Sequence, residues 1–232
     1  MRLDKYIAET TGFSRAISQR TIKQKRVAVD GVVTNRPAQH VTDGQVVTLD
    51  GAPLDTPQPR YLMLHKPAGC VCSTDDPTHP SVLDLLDIDN LRGLHFAGRL
   101  DLEATGLVLI TDDGNWSHRI TSPRHKVAKT YSVTLAVPLP DEAVKKLLAG
   151  VQLNNEKGIS AATQLELLTD TEARITITEG KYHQVKRMFG AVGNRVLELH
   201  RESIGELGLD EELEPGEYRE LTEPEIALFT AP

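Results

Sequence analysis

Three short stretches of the 232-residue chain set basic residues beside a carboxylate or an aromatic ring: GRLDLEATG from Gly98 to Gly106, RHKVAKTY from Arg124 to Tyr131, and EGKYHQVKRM from Glu179 to Met188. In the first, Arg99 and Asp101 share strand parity, so an extended segment would present both on one face. In the third, Val185, Met188, Phe189 and Val192 fall at the i, i+3, i+4, i+7 spacing of a helix that faces a core. Lys181, His183, Lys186 and Arg187 are then off that stripe, nearer solvent or a cleft. Basic side chains interleaved with Tyr131 and Tyr182 suit phosphate contact combined with base stacking. Taken alone, these residues describe a surface for RNA with a carboxylate in it. A hydrolase would want a nucleophile elbow or a metal motif, and the chain has neither.

Cys70 and Cys72, spaced C-x-C with no second pair, fit neither a disulfide framework nor the common zinc spacings and read as reduced thiols. The eight histidines form no ligand cluster, so no metal is expected. A net charge of -7 argues against a nucleic-acid partner until its distribution is considered. Between Met1 and Gly44 stand Arg2, Lys5, Arg15, Arg20, Lys23, Lys25, Arg26 and Arg36 against Asp4, Glu9, Asp30 and Asp43, a net +4 that leaves -11 for the remainder. That asymmetry points to a basic binding module on an acidic body. The charged N-terminus excludes a secretory signal, and no run reaches the length of a membrane span, so a cytoplasmic protein with no membrane partner is expected.

The elements that must position these residues follow from periodicity and punctuation. Leu3 and Ile7 share a helical face, and Ser14 caps a second helix running to about Lys25. Val27–Val29, the Asp30-Gly31 turn and Val32–Thr34 make a hairpin, and Gln45 to Leu49 a further strand. The run DGAPLDTPQPR, with three prolines, reads as a semi-rigid linker. The expected organisation is therefore a small α/β module at 1–50, a linker at 51–60 and a larger domain at 61–232. Strands are expected at 61–65, 107–111, 130–137, 172–178 and 195–199, with one helix framed by Pro140 and Gly150 and another carrying the Val185 stripe. Without regular βα alternation, the fold class is α+β, a mixed, mainly antiparallel sheet flanked by helices.

GRLD, then TGLVLITDDG, KTYSVTL and EGKYHQVKRMF, in this order, resemble the bacterial ribosomal pseudouridine synthases. PRYLMLHKPAGCVCSTDDPTHPSVLDLL and DGNWSHRITSPRHK look like the small-subunit branch of that family, and the first thirty residues look like its S4-type RNA-binding domain. The resemblance covers nearly the whole chain. One position departs from it: His65 stands where the family usually has Asn before Lys66-Pro67.

The resemblance implies isomerisation of a specific uridine to pseudouridine in 16S ribosomal RNA, free or in a small-subunit assembly intermediate, by a monomer that needs no cofactor. It makes Asp101 the catalytic carboxylate, acting by covalent addition or by taking a ribose proton. Tyr131 matches the tyrosine on the target uracil, and is equally readable as a packed strand residue; Lys186 matches the basic partner of the aspartate, and is equally readable as a solvated helix lysine. Arg99 resembles the residue that fills the gap left by the extruded uridine, while Val185 and Arg187 would border the substrate. Arg2, Lys5, Arg15, Arg20, Lys23, Lys25 and Arg26 become the RNA-facing surface of the N-terminal module. Two other readings compete with this one, a large-subunit target and a non-catalytic RNA-binding protein. The upstream stretch from Arg60 to Leu86 speaks against the first, and the retention of GRLD, Tyr131 and Lys186 together against the second.

Overall fold

The computed structural model describes residues 1–88 and 90–230. They form two compact units, one of residues 1–59 and 90–92 and the other of 60–88 and 93–230.

In the first unit, helix α1 (Leu3–Thr11) is closed by Gly12 at φ 71°, where a residue without Cβ enters the left-handed region freely. Helix α2 (Arg15–Lys23) begins at Ser14, whose side chain accepts from the Ile17 amide at 3.1 Å. Strands β1 (Val27–Val29), β2 (Val32–Thr34), β3 (Val47–Leu49) and β4 (Ala52–Pro53) form an antiparallel sheet in the order β2-β1-β3-β4. Part of the expected linker is thus sheet: Ala52 and Pro53 pair with Leu49 and Thr48. Pro53 is tolerated there because β4 is an edge strand. Leu3, Ile7, Ile22, Val27 and Val47 are fully buried between helices and sheet.

The second unit is built on one large sheet. Its strands are β5 (Tyr61–Lys66), β6 (His95–Phe96), β7 (Thr105–Thr111), β8 (Lys129–Leu135), β11 (Gln164–Leu167), β12 (Glu172–Ile177), β13 (Val196–Ile204), β14 (Leu207–Gly208) and β15 (Tyr218–Glu220); β9 (Val151–Gln152) and β10 (Ile159–Ser160) make a separate hairpin-like pair. The main path runs β11-β12-β8-β13-β7-β5-β15, antiparallel except where β13 meets β7. The expected mixed, mainly antiparallel sheet is therefore present. Strand β7 is buried almost throughout and reads as a continuous apolar run, whereas β8 buries every second residue.

Four helices accompany the sheet: α3 (Gly114–Thr121), α4 (Asp141–Ala149), α5 (Gln184–Ala191) and α6 (Glu223–Ala227). Asp113 caps α3 through the Asn115 and Trp116 amides, so that Trp116 meets Tyr61 and Phe229 edge-on, at centroid distances of 5.1 and 5.4 Å. With Met63, Leu107, Leu109 and Ile204 they fill one core. Val185, Met188 and Phe189 of α5 are buried as the stripe requires, and α5 lies against β13 and β9. Among the described residues, no helix is long and apolar enough to cross a membrane.

Candidate active site

Asp101 does not lie on a strand. The segment 97–104 is a loop between β6 and β7, so the parity argument for Arg99 and Asp101 fails, although both side chains line the same cleft. Two buried cations hold this loop. Arg201 of β13, 1% exposed, donates to the carbonyls of Leu107 (2.7 Å), Gly98 (3.3 Å) and Arg99 (3.4 Å). On the other side of Asp101, the fully buried Lys66 donates to Leu102 (3.1 Å), Ala104 (2.7 Å) and Pro67 (2.9 Å). Burial pushes the Lys66 ammonium below its ordinary value, and the nearby Cys70, Cys72 and Asp101 oppose that shift. The Cys72 sulfur accepts from the Leu100 amide at 3.5 Å, and burial pushes both thiols up, so the cysteines serve as packing.

Gly106 lets this frame close. Its φ is 104°, and a Cβ there would lie 2.4 Å from the Arg201 carbonyl oxygen. Only glycine allows β7 and β13 to approach in this way while Arg201 reaches the loop.

From the third polar stretch come the partners of Asp101. Lys186 Nζ on α5 is 3.8 Å from one carboxylate oxygen, and His183 Nε2 is 3.4 Å from the other. His183 is the N-cap residue of α5, at φ 48°, a left-handed conformation that is uncommon outside glycine. Sequence reasoning gave His183 no role. A stripe argument finds the buried face of a helix but cannot foresee a turn that swings the preceding residue over a carboxylate.

Tyr131, buried on β8 opposite Ile175 and Arg201, also lines the cleft, so its two readings are compatible. Val185, buried at the start of α5, contributes to the wall. The cleft is open to solvent and has a volume of about 80 Å³. Arg99 is exposed at its edge and forms no ion pair among the described residues. Arg187 is placed elsewhere. It donates to Glu156 (3.0 Å), to the Tyr182 carbonyl (2.9 Å) and to the Asn154 carbonyl, and is not among the lining residues. There it fixes the neighbouring loop. His65 is likewise outside the cleft, donating through Nδ1 to the Leu213 carbonyl at 2.7 Å and meeting His200 edge-on.

In the N-terminal unit, four of the seven basic candidates are paired. The buried Asp4 accepts from Arg2 (2.9 Å), Arg15 (2.7 Å) and Gln19 (3.0 Å), while Lys5 faces Glu9 and Arg26 faces Asp50. Arg20, Lys23 and Lys25 are exposed and have no ion pair among the described residues. Burial pushes the Asp4 carboxyl up, but the bonds from Arg2, Gln19 and Arg15 outweigh it and hold the pKa at about 2.

A carboxylate with Lys186 and His183 at its two oxygens, an aromatic ring in the wall and a solvent-open mouth can act on a ligand that enters the cleft. Residues 60–191 match the sequence family described as RNA pseudouridylate synthase, and residues 1–47 match the S4 domain. The chain belongs to the RNA pseudouridylate synthase family and is an isomerase. Among its relatives are proteins called ribosomal small subunit pseudouridine synthase A from Salmonella typhimurium (58% identical, covering 98% of this chain and 99% of the relative), Yersinia pestis (55%, 100% and 99%) and Vibrio cholerae (49%, 98% and 98%). A solved structure described as a pseudouridylate synthase superposes with a TM-score of 0.71 at 45% identity, covering 99% of this chain and all of that one. An archaeal box H/ACA Nop10-Cbf5 complex shares the fold over 68% of this chain and 51% of that one, with a TM-score of 0.50 at 20% identity.

Proposed function

We propose that the protein converts a specific uridine of small-subunit (16S) ribosomal RNA, free or within an assembly intermediate, to pseudouridine, acting as a monomer in the cytoplasm. The observation that carries this reading is the clamp on Asp101, with Lys186 at 3.8 Å and His183 at 3.4 Å on opposite carboxylate oxygens in a cleft lined by Tyr131. Near full-length likeness to relatives named for the ribosomal small subunit supports the choice of substrate.

The reaction breaks the N1–C1′ bond of the uridine, turns the base and forms a C5–C1′ bond; the C5 proton leaves and N1 gains one, so the product is an isomer. Asp101 is the essential carboxylate, serving by covalent addition or by removal of a ribose proton. Lys186, 3.8 Å away, fixes its rotamer. Tyr131 stacks on the uracil and assists loss of the C5 proton, and Val185 packs beside it. Extrusion of the uridine costs a few kcal/mol of stacking and pairing, and Arg99, long, planar and unpaired at the mouth, fills the vacated position. Arg20, Lys23 and Lys25 offer free charge to the phosphate backbone, and Arg2, Lys5, Arg15 and Arg26 border them while exchanging with their carboxylates.

Pseudouridine mapping of ribosomal RNA tests the reading, using cells that carry the gene, cells that lack it, and cells rescued by Asp101→Asn. One small-subunit uridine should lose its mark in the deletion and stay unmarked in the rescue. Marks that all persist would refute the reading, and a mark lost from large-subunit RNA would keep the chemistry and change the substrate.

A further inference from the structure

The rim of the cleft carries a feature that the reaction at Asp101 does not use. Tyr182 is 71% exposed, the most exposed of the large hydrophobic side chains together with Val32. Its ring lies against the His183 imidazole, with centroids 3.8 Å apart and planes 20° from parallel. One face of the phenol is therefore covered and the other is open.

The loop that presents this ring is held before any ligand arrives. Gln184 Oε1 accepts from the Lys181 amide at 2.9 Å, and its Nε2 donates to Glu179 at 3.1 Å. Lys181 Nζ reaches Ser160 Oγ at 2.8 Å. Arg187 binds the Tyr182 carbonyl at 2.9 Å while anchored on Glu156. Stacking on a mobile side chain is offset by the entropy of ordering it, whereas a ring fixed by its backbone and by His183 has little left to lose.

The imidazole edge meets Asp101 at 3.4 Å and its face meets Tyr182. The open face of Tyr182 thus begins two stacked rings from the carboxylate, and its neighbours Lys181 and His183 line the cleft. A uridine turned into the cleft leaves the nucleotide beside it unstacked on one side. Unpaired bases are held on aromatic rings in just this manner, with little regard to which base is present.

We propose that the open face of Tyr182 is a stacking site for an unpaired RNA base next in sequence to the target uridine, with Arg187 and His183 as the residues that position it. This rests on the reading of the cleft as the place where a uridine of structured RNA is isomerised.

The test measures pseudouridine formation by the full-length protein on a ribosomal RNA segment containing the mapped uridine. Wild type, Tyr182→Phe and Tyr182→Ala are compared on the intact segment and on two others in which the 5′ or the 3′ neighbour of the target is abasic. On intact RNA, Tyr182→Ala should raise KM about tenfold with kcat little changed, and Tyr182→Phe should match wild type. On one of the two abasic segments the difference between wild type and Tyr182→Ala should vanish. Equal KM values for wild type and Tyr182→Ala on intact RNA would overturn the proposal alone, as would a loss that persists undiminished on both abasic segments. Wild type that forms no pseudouridine on any segment would instead remove the underlying reading, and the proposal with it. Tyr182 is exposed, so its truncation is expected to leave the thermal unfolding of the chain unchanged.

Discussion

The two oxygens of Asp101 face different partners, and these are not equivalent. Lys186 brings a primary ammonium from a helix whose stripe fixes its direction; His183 brings an imidazole from a left-handed turn. Removing the lysine should therefore matter more. Lys186→Met is expected to lower kcat for pseudouridine formation by roughly 10²-fold, with KM for RNA nearly unchanged, because the lost interaction acts on the reacting carboxylate; single-turnover kinetics would check this. At this scale Asp101, Tyr131, Lys186 and Arg99 were legible as motif residues. Lys66 and Arg201 were not singled out, yet a signal existed: Arg201 shares strand parity with the buried Leu199, so a cation falls on a core-facing position of β13. Arginine there must be bound to something, and it is bound to the carbonyls of Leu107 and of the loop that carries Asp101.

Among the elements, the loop bearing Asp101 owes its shape to the close approach of β7 and β13 at Gly106. Gly106→Ala places a Cβ against the Arg201 backbone in a conformation alanine avoids. Such a substitution is expected to cost about 1–3 kcal/mol, read as a lowered thermal midpoint, and to reduce kcat by displacing the loop. In the other unit, Asp4 joins the start of α1 to α2 through Arg2, Arg15 and Gln19. Its pKa is lowered from 3.8 to about 2, so its contribution is complete above pH 4 and disappears as pH falls through 2. Asp4→Asn should therefore destabilise this unit by roughly 1–2 kcal/mol at neutral pH, and the difference from wild type should narrow below about pH 4 and close only below about pH 2; calorimetry across pH would show it. The long strands, the Asp30-Gly31 hairpin, the Ser14 cap and the Val185 helix were all legible, since each carries a period or a punctuating residue. Two-residue strands such as β9 and β10 carry no period at all. Helix α3 shows only Trp116 and Ile120 as apolar contacts, too few for a stripe.

Across the whole molecule, an acidic chain becomes an RNA enzyme by concentrating positive charge in its first unit. The asymmetry was legible from counting, but the pairing of Arg2, Arg15, Lys5 and Arg26 was not, because Asp4, Glu9 and Asp50 become partners only once the helices and sheet have formed. The free charges, Arg20, Lys23 and Lys25, should accordingly dominate the salt dependence. Replacing all three by alanine is expected to weaken RNA binding and reduce the magnitude of the log Kd against log salt slope by roughly 2, as measured by titration at several ionic strengths. An unchanged slope would transfer RNA contact to the paired residues.

The central claim is that Asp101 isomerises uridine in ribosomal RNA, and loss of the C5 proton reports it directly. Small-subunit ribosomal RNA transcribed with tritium at uracil C5 would be incubated with purified wild type and with Asp101→Asn at equal, RNA-saturating concentrations. The expected result is release of tritium to water by wild type, up to one equivalent per RNA, and none by the variant although it still binds RNA. Release by both proteins, or by neither, would contradict the account.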